Sequence, residues 1–398
     1  MYSKPFIPYK GYYSSPFARW QGSLQHEHPV ELAGATAAKW LDTQGVDPKA
    51  FDYLFLGKTI TQHHTFYAAP WVAALVGATE IAACHIAQAC STSTTCVNEA
   101  ALGIEAGLYA TVLALMTDRT SNGPHMIWPN PLGPGGQVIS ENWLMDNFDY
   151  DPWGGVRMVQ TAENVVQKVG GISREDCDEV ALRRYEQYMT SVANDREFQK
   201  QYMFPVEYRK SKKEMGILEA DEGITPTSRE GLAKLKPLIP GGTHTFGAQT
   251  HPADGNCGII VTTRDKAREI SPDPKVEIQI VSYGFARAPR AHMAMAVVPA
   301  AQMALKKAGI TVGDVKAIKT HNPFAANDIY MARELGIDVM GFNNYGSPII
   351  YGHPQGPTAG RCMIEMIEEV VMLGGGYGLF SGCAAGDTGA ALVAKVSC

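Results

Sequence analysis

The sequence lacks the charge pattern of a protein that binds nucleic acid or an anionic membrane. Its 34 Lys and Arg residues stand against 40 Asp and Glu residues, for a net charge of −6. Nucleic-acid binding requires a basic face, and attraction to an anionic bilayer requires a basic segment. We therefore expect neither nucleic acid nor a membrane as a partner.

Long apolar runs and targeting signals are also missing. The most apolar stretch, residues 68–90, is interrupted by Glu80, His85 and Gln88 and is too polar to span a bilayer. The amino terminus runs into prolines and tyrosines without the apolar core of a signal peptide. These features predict a cytoplasmic protein.

No pattern of metal ligands stands out. The eight cysteines form no Cys-x-x-Cys pair, which argues against a zinc ribbon or a redox dithiol. His26, His28, His63 and His64 lack the i, i+4 spacing of a helical zinc site, so no metal site is predicted. Without a secretion signal, disulfides are not expected, and most cysteines are predicted to be small buried residues.

What is present is a globular composition, with 45% hydrophobic and 19% charged residues, 40 glycines and 24 prolines. This composition excludes a disordered chain and predicts many tight turns. A length of 398 residues predicts two or three domains or one large fold built from repeats.

An internal repeat favours the second alternative. The segments around Gly45 and Gly309 both follow an amphipathic helix and lead into an apolar strand, at an offset of 264 (309 − 45). The same offset pairs Cys90 with Pro354 (354 − 90 = 264). Each half is predicted to run helix, turn, strand, loop, strand, loop, long helix and strand. This alternation predicts an α/β fold made by duplication.

A segment without a counterpart is inserted between the halves. We predict irregular loops at residues 120–155 and 221–258, of the length that often covers a functional site. Between them, Ser173 is the predicted N-cap of a charged helix. Its apolar side is predicted from helical spacing to carry Leu182, Tyr185 and Met189.

Three small-residue loops contain the candidate chemistry. Cys90 follows an apolar strand and precedes a long helix, whose dipole is expected to lower the thiol pKa. His353 occupies the equivalent loop of the second half, where it can act as a base towards a nearby thiol. Cys383 begins a glycine-containing loop whose N–H groups can converge on an oxyanion. Each residue also has a purely structural interpretation. Cys90 would be a small residue in a crowded turn, His353 a histidine that caps a turn, and Cys383 part of a tight turn between two core strands.

Together these residues resemble the thiolase family over nearly the whole chain. Further motifs of the family are matched by Thr120–His125, by Thr161–Val165 with Gly171–Glu175, and by Asn344–Ser347. The resemblance implies a five-layer αβαβα core made of two halves. Its implied domains are an N-terminal half at residues 1–118 and 249–270, an inserted loop domain at 119–248 and a C-terminal half at 271–398.

The resemblance also implies the reaction. Coenzyme A would be the co-substrate, with no covalently bound cofactor, and a 3-oxoacyl-CoA would be cleaved through an acyl-cysteine. Cys90 would be the nucleophile, His353 its base and Cys383 the second acid and base. The alternatives are biosynthetic condensation of acetyl-CoA, a ketosynthase-like condensing enzyme and a non-catalytic acyl-CoA-binding subunit.

One motif departs from the common family pattern. Most thiolases carry Asn-Glu-Ala-Phe where this chain has His321-Asn322-Pro323-Phe324, a form similar to the sterol-carrier and archaeal branches. His321 is therefore the expected oxyanion donor, with Asn322 the weaker candidate, and Phe324 is expected at the substrate.

The loop that begins at Cys383 and the segment around Thr250 also differ from the common family pattern. Ala385 replaces a glycine next to Gly386, and the resemblance assigns both backbones to an oxyanion site. Thr250 stands at the serine position that contacts the coenzyme A tail.

The inserted segment is unusually aromatic around His125, Trp128, Trp143 and Trp153. We predict that the acyl pocket takes a bulky, even aromatic, 3-oxoacyl-CoA, with His125 at the substrate. Benzoylsuccinyl-CoA is one such substrate of the family. The resemblance further implies a homodimer or tetramer, and related branches work with a small zinc-ribbon/OB-fold partner protein.

Overall fold

A computed structural model describes all 398 residues, as an α/β fold with fifteen strands and thirteen helices. The strands are β1 Phe6–Pro8, β2 Tyr12–Ser14, β3 Ala18–Arg19, β4 Tyr53–Gly57, β5 Ala82–Ile86, β6 Thr111–Arg119, β7 His125–Pro129, β8 Val138–Asn142, β9 Val206–Arg209, β10 Met215–Leu218, β11 Ala253–Thr262, β12 Glu277–Arg287, β13 Val315–His321, β14 Gly376–Ala384 and β15 Thr388–Ser397. The helices are α1 Pro29–Gln44, α2 Ala68–Val76, α3 Thr92–Ala106, α4 Met145–Asp149, α5 Met158–Val169, α6 Arg174–Ser191, α7 Ala193–Arg196, α8 Arg229–Ala233, α9 Arg264–Ile270, α10 Val297–Ala308, α11 Ala325–Leu335, α12 Pro348–Tyr351 and α13 Thr358–Met372.

The main sheet joins two half-sheets through the short strand β1. Its order is β13-β14-β15-β12-β1-β11-β6-β4-β5, with β2 and β3 added to β11. Helices α1 and α2 cover the outer face of β4 and β6, and α10 covers the outer face of β12, β14 and β15. Helices α3 and α13 lie between the two halves. The five-layer αβαβα prediction is confirmed by this arrangement.

The repeat has physical counterparts in the two halves. Helices α1 and α10 both end at a glycine in the left-handed conformation, Gly45 at φ 66° and Gly309 at φ 71°, which a residue with a Cβ adopts only at a cost. One predicted strand is wrong, because the counterpart of β5 is the short helix α12. Gly346 takes φ 99° there, and Pro348 has no N–H to donate to a ladder.

The central helix α13 is buried along nearly its whole length, although it carries four charged residues. Buried charges are tolerated when they are paired. Arg361 donates to both carboxylate oxygens of Asp221 at 2.6 and 2.8 Å and to Glu365 at 2.9 Å, and Lys319 lies 2.8 Å from Glu365. Asp221 belongs to the inserted segment, so this network attaches the insert to the core.

The insert, between β6 and β11, contains more regular structure than expected. The hairpin β7–β8 and the helices α4 and α8 occupy regions where loops were predicted, and a second hairpin, β9–β10, follows α7. Ser173 caps α6 through a capping box with Asp176. The predicted apolar side is displaced: Met189 is exposed, and the buried face carries Cys177, Val180, Ala181, Arg184, Gln187, Tyr188 and Ser191. None of the helices combines the length and apolarity that crossing a bilayer requires.

Candidate active site

The two loops related by the repeat meet at a thiol–imidazole pair. Cys90 Sγ lies 3.1 Å from Nε2 of His353, and both residues are buried. Nδ1 of His353 lies 2.6 Å from the hydroxyl of Thr358, at the start of α13. Each half therefore supplies one member of the pair, and the hydroxyl fixes the orientation of the imidazole ring.

Cys90 lies in a tight turn directly before α3. The preceding residue, Ala89, takes φ 44°, a left-handed conformation that costs a non-glycine residue on the order of 1–3 kcal/mol. The expectation of a lowered thiol pKa is wrong. Burial raises the pKa of Cys90 to about 12, although the N–H groups of Ala385 and of Cys90 itself oppose the rise. The resting residue is therefore a thiol, and a base must remove its proton before attack.

His321 and Cys383 come from the carboxyl ends of two parallel strands, β13 and β14, where His321 pairs in register with Gly382. The rings of His321 and His353 are 4.2 Å apart. Cys383 is fully buried and accepts a hydrogen bond from the side-chain amide of Asn327 at 3.1 Å. Burial, and then the neighbouring Cys90, raise the pKa of Cys383 well above its ordinary value.

Asn322, the weaker oxyanion candidate, is committed elsewhere. Its amide donates to Asp328 at 2.6 Å and to Ser347 at 3.0 Å. His321, by contrast, has no hydrogen-bond partner on either ring nitrogen although it is buried. Of the two, only His321 has a free N–H to offer an oxyanion.

Burial lowers the pKa of His321 from 6.5 to about 3, which predicts a pH-dependent stability. The unfolded chain takes up a proton near pH 6.5 and the folded chain does not, so the free energy of unfolding falls between about pH 6.5 and pH 3. Each pH unit costs about 1.4 kcal/mol for one such group. Urea unfolding of the parent and of His321→Asn between pH 7 and pH 5 measures this slope.

We expect the free energy of unfolding of the His321→Asn variant to fall less steeply with decreasing pH than that of the parent. The difference in slope should correspond to the uptake of up to one proton on unfolding. Exposed His63→Asn is the matched control and should follow the parent. Equal slopes for the parent and His321→Asn would mean that His321 is not held neutral by burial.

A cavity of about 350 Å³ reaches the thiol–imidazole pair, and it has mainly apolar walls. Thr250 lines it and donates its hydroxyl to the carbonyl of Pro348 at 2.6 Å. Phe324 and Ala385 also line it. Ala385 does not take a positive φ, whereas Gly386 does at 80°, so the alanine causes no backbone strain.

The aromatic residues singled out in the insert do not form this cavity. His125 is exposed on β7 and lies outside the lining, and Trp153 lies against Arg287 and Arg290 instead. The insert lines the cavity through a different set of residues: Met145, Phe148, Asp149, Arg157, Met158, Val159, Leu238 and Phe246. His125 therefore does not line this cavity, and its contact with the substrate stays a prediction.

Sequence reasoning missed several supporting residues. Gln355, at φ 61°, places its Oε1 3.5 Å from Cys90 Sγ and lines the cavity. Its position beside His353 in the Gly-His-Pro-Gln-Gly loop was the available signal. His244 is buried between Glu163, 3.1 Å from Nδ1, and the N–H of Ala326, 3.3 Å from Nε2. His244 thus supports the start of α11, next to the His321–Phe324 loop, and no local pattern marks it.

Comparisons with known proteins match this chain on sequence and on structure. Residues 11–265 match the family model described as "Thiolase, N-terminal domain", and residues 274–396 match the one described as "Thiolase, C-terminal domain". The mitochondrial 3-ketoacyl-CoA thiolase of Homo sapiens is 28% identical over 389 residues, covering 95% of each chain. A probable acetyl-CoA acetyltransferase of Mycobacterium leprae is 28% identical over 390 residues, covering 96% of this chain and 97% of the relative. The crystal structure of the human mitochondrial enzyme in complex with CoA superposes with a TM-score of 0.90 at 27% identity, covering 99% of this chain and 98% of that one.

Proposed function

We propose that this chain, which belongs to the thiolase family, cleaves a 3-oxoacyl-CoA with coenzyme A through an acyl-Cys90 intermediate. Membership makes the chain an acyltransferase with coenzyme A as its co-substrate. The observation that carries the proposal is the 3.1 Å contact between Cys90 Sγ and His353 Nε2 at the cavity.

The first half-reaction begins with proton transfer from the Cys90 thiol to Nε2 of His353. The thiolate attacks the 3-oxo carbon, and the oxyanion that forms accepts hydrogen bonds from donors such as the N–H of His321. The bond between C2 and C3 then breaks. The departing enolate takes the proton of the Cys383 thiol at C2 and leaves as an acyl-CoA, which is acetyl-CoA when C2 is unsubstituted, while the shortened acyl group stays on Cys90.

The second half-reaction returns every proton. The Cys383 thiolate removes the proton of the coenzyme A thiol, and the coenzyme A thiolate attacks the acyl-Cys90 carbonyl. The N–H groups of Ala385 and Cys90 face the sulfur and are suited to stabilise this oxyanion. Cys90 leaves as a thiolate and recovers its proton from the His353 imidazolium.

The cavity walls support an acyl group larger than acetoacetyl. Apolar side chains that include Phe148, Met158, Met293 and Phe324 surround it, and matching apolar surface is what a bulky acyl chain requires. We propose a bulky 3-oxoacyl-CoA, aromatic ones included. The alternative is acetoacetyl-CoA, with the same residues running the biosynthetic condensation, as the name of the M. leprae relative suggests.

Steady-state thiolysis tests the substrate class. We expect kcat/KM for 3-oxo-3-phenylpropionyl-CoA to exceed that for acetoacetyl-CoA by at least about 10-fold, because each additional buried apolar group improves transition-state binding. Met145→Trp, which fills the cavity wall, should lower kcat/KM for the aryl substrate and spare acetoacetyl-CoA. Met189→Trp, at an exposed position on α6, is the matched control. A preference for acetoacetyl-CoA would support the alternative instead.

A homodimer is the assembly we propose, with a tetramer as its extension. Strand β5 is the last strand of the main sheet, and only one of its edges is paired. Phe66 and Tyr67 lie nearby in sequence, with 90% and 70% of their surfaces exposed. Unpaired edges and exposed aromatic residues are commonly covered by another chain. A small zinc-ribbon/OB-fold partner and a cytoplasmic location stay predictions.

A further inference from the structure

Three potential metal ligands converge at the end of the cavity. Cys90 Sγ, a ring nitrogen of His321 and a ring nitrogen of His353 all lie within 4.8 Å of one another. In this chain they form the only group of three such side chains close enough to share one ion. They come from three separate segments, the turn before α3, the end of β13 and the loop before α13, so the spacing of histidines and cysteines along the sequence gives no sign of them.

His321 is a residue with unused coordination capacity. Both of its ring nitrogens are buried without a hydrogen-bond partner, and the ring lies 4.2 Å from that of His353. An imidazole that is buried and unpaired costs free energy unless some ligand satisfies it. An asparagine at this position would offer only an amide oxygen, a weaker ligand for a thiophilic ion.

His353 is already held in a suitable orientation. Its Nδ1 faces the hydroxyl of Thr358 at 2.6 Å, which leaves Nε2 directed at Cys90. Ligating histidines generally have their other ring nitrogen fixed by such a hydrogen bond. Both Cys90 and His353 line the cavity, so an ion has a path of entry.

We propose that Cys90, His321 and His353 bind a thiophilic divalent cation, of which Zn²⁺ is the type. One thiolate and two imidazoles are donors that such ions select, in near-tetrahedral sites with one open position. The Cys90 thiol releases its proton to solvent when the sulfur–metal bond forms, so binding tightens as pH rises.

Binding of this ion opposes acyl transfer. The sulfur lone pair and Nε2 of His353 are then occupied by the metal, so Cys90 is neither nucleophilic nor in contact with its base. This consequence rests on the proposed function, whereas the binding itself does not. Thiolysis should be reversibly inhibited by micromolar Zn²⁺ and restored by a chelator.

Cobalt substitution tests the site without reference to activity. Co²⁺ titrated into the reduced full chain should give a thiolate-to-metal charge-transfer band with a stoichiometry of one per chain, and Zn²⁺ should displace it. Cys90→Ser should abolish the band. His321→Asn should weaken Zn²⁺ binding by more than about 100-fold, the upper end of what loss of an outer-shell partner costs.

Two control variants exclude adventitious ligands. Cys398→Ser and His64→Asn replace exposed residues outside the cluster and should leave the band and the affinity unchanged. A band that persists in Cys90→Ser, equal affinity in His321→Asn, or no band in the parent would overturn the proposal. Metal-free thiolysis that requires Cys90 would still support the proposed function in each of these cases.

Discussion

Cys90→Ala is expected to lower kcat for thiolysis by on the order of 10⁵- to 10⁶-fold, the scale of losing a catalytic nucleophile. No other sulfur can replace it, because the buried thiol that contacts Nε2 of His353 is that of Cys90. Brief incubation with a 3-oxoacyl-CoA followed by peptide mass mapping should find the acyl group on Cys90 in the parent. The variant should carry no acyl group.

Cys398→Ala is the matched control for this variant, because it removes an exposed thiol that does not line the cavity. It should keep the parent rate and the acyl adduct. Acylation by substrate is the better probe than alkylation by iodoacetamide. Iodoacetamide also alkylates the exposed Cys398, whereas an acyl-CoA is expected to acylate the thiol that faces the cavity. An adduct on another cysteine of the active parent would contradict the assignment.

Cys383→Ala is expected to lower kcat by about 10²- to 10⁴-fold, the range that a positioned acid–base group supplies. The specific readout is exchange of the C2 protons of acetyl-CoA in D₂O, followed by NMR. Exchange requires a group that removes and returns a proton at C2, so the variant should lose it.

Cys383→Ser keeps a side chain of nearly the same size beside Asn327 and serves as the matched variant. A serine hydroxyl is a far weaker acid than a thiol, so exchange should stay low while the thermal midpoint stays near that of the parent. If the alanine variant still exchanges the C2 protons at the parent rate, then Cys383 is not the second acid and base.

The duplicated core could be predicted because each half carries its own local signals. The glycines at 45 and 309 end their helices in the same conformation, and each half contains the predicted long helix, α3 or α13. The periodicity of the sequence does not reveal that the second half has the helix α12 in place of a strand equivalent to β5. Its segment is set by Gly346, which packs against Tyr188 of the insert, and such a contact is made in three dimensions only.

The position of the candidate site residues was predicted better than their electrostatics. The repeat brings the loops of Cys90 and His353 together, because each loop directly precedes one of the two central helices, α3 and α13, which pack against each other. The direction of the Cys90 pKa shift was wrong, because a helix N-terminus is a local feature and burial depends on the whole fold. Supporting groups such as Asn327 and His244 could not be identified, since their partners are distant in sequence.

The separation of the reactive pair has a consequence for how the chain acquires activity. Cys90 and His353 are 263 residues apart, and each belongs to a different half. Contacts of such long range close late in folding, because the entropy of closing the intervening loop must be offset first. Neither half contains both members of the pair, so a chain whose halves have not docked lacks a nucleophile in contact with its base. Reactivity therefore arises only once both halves have docked.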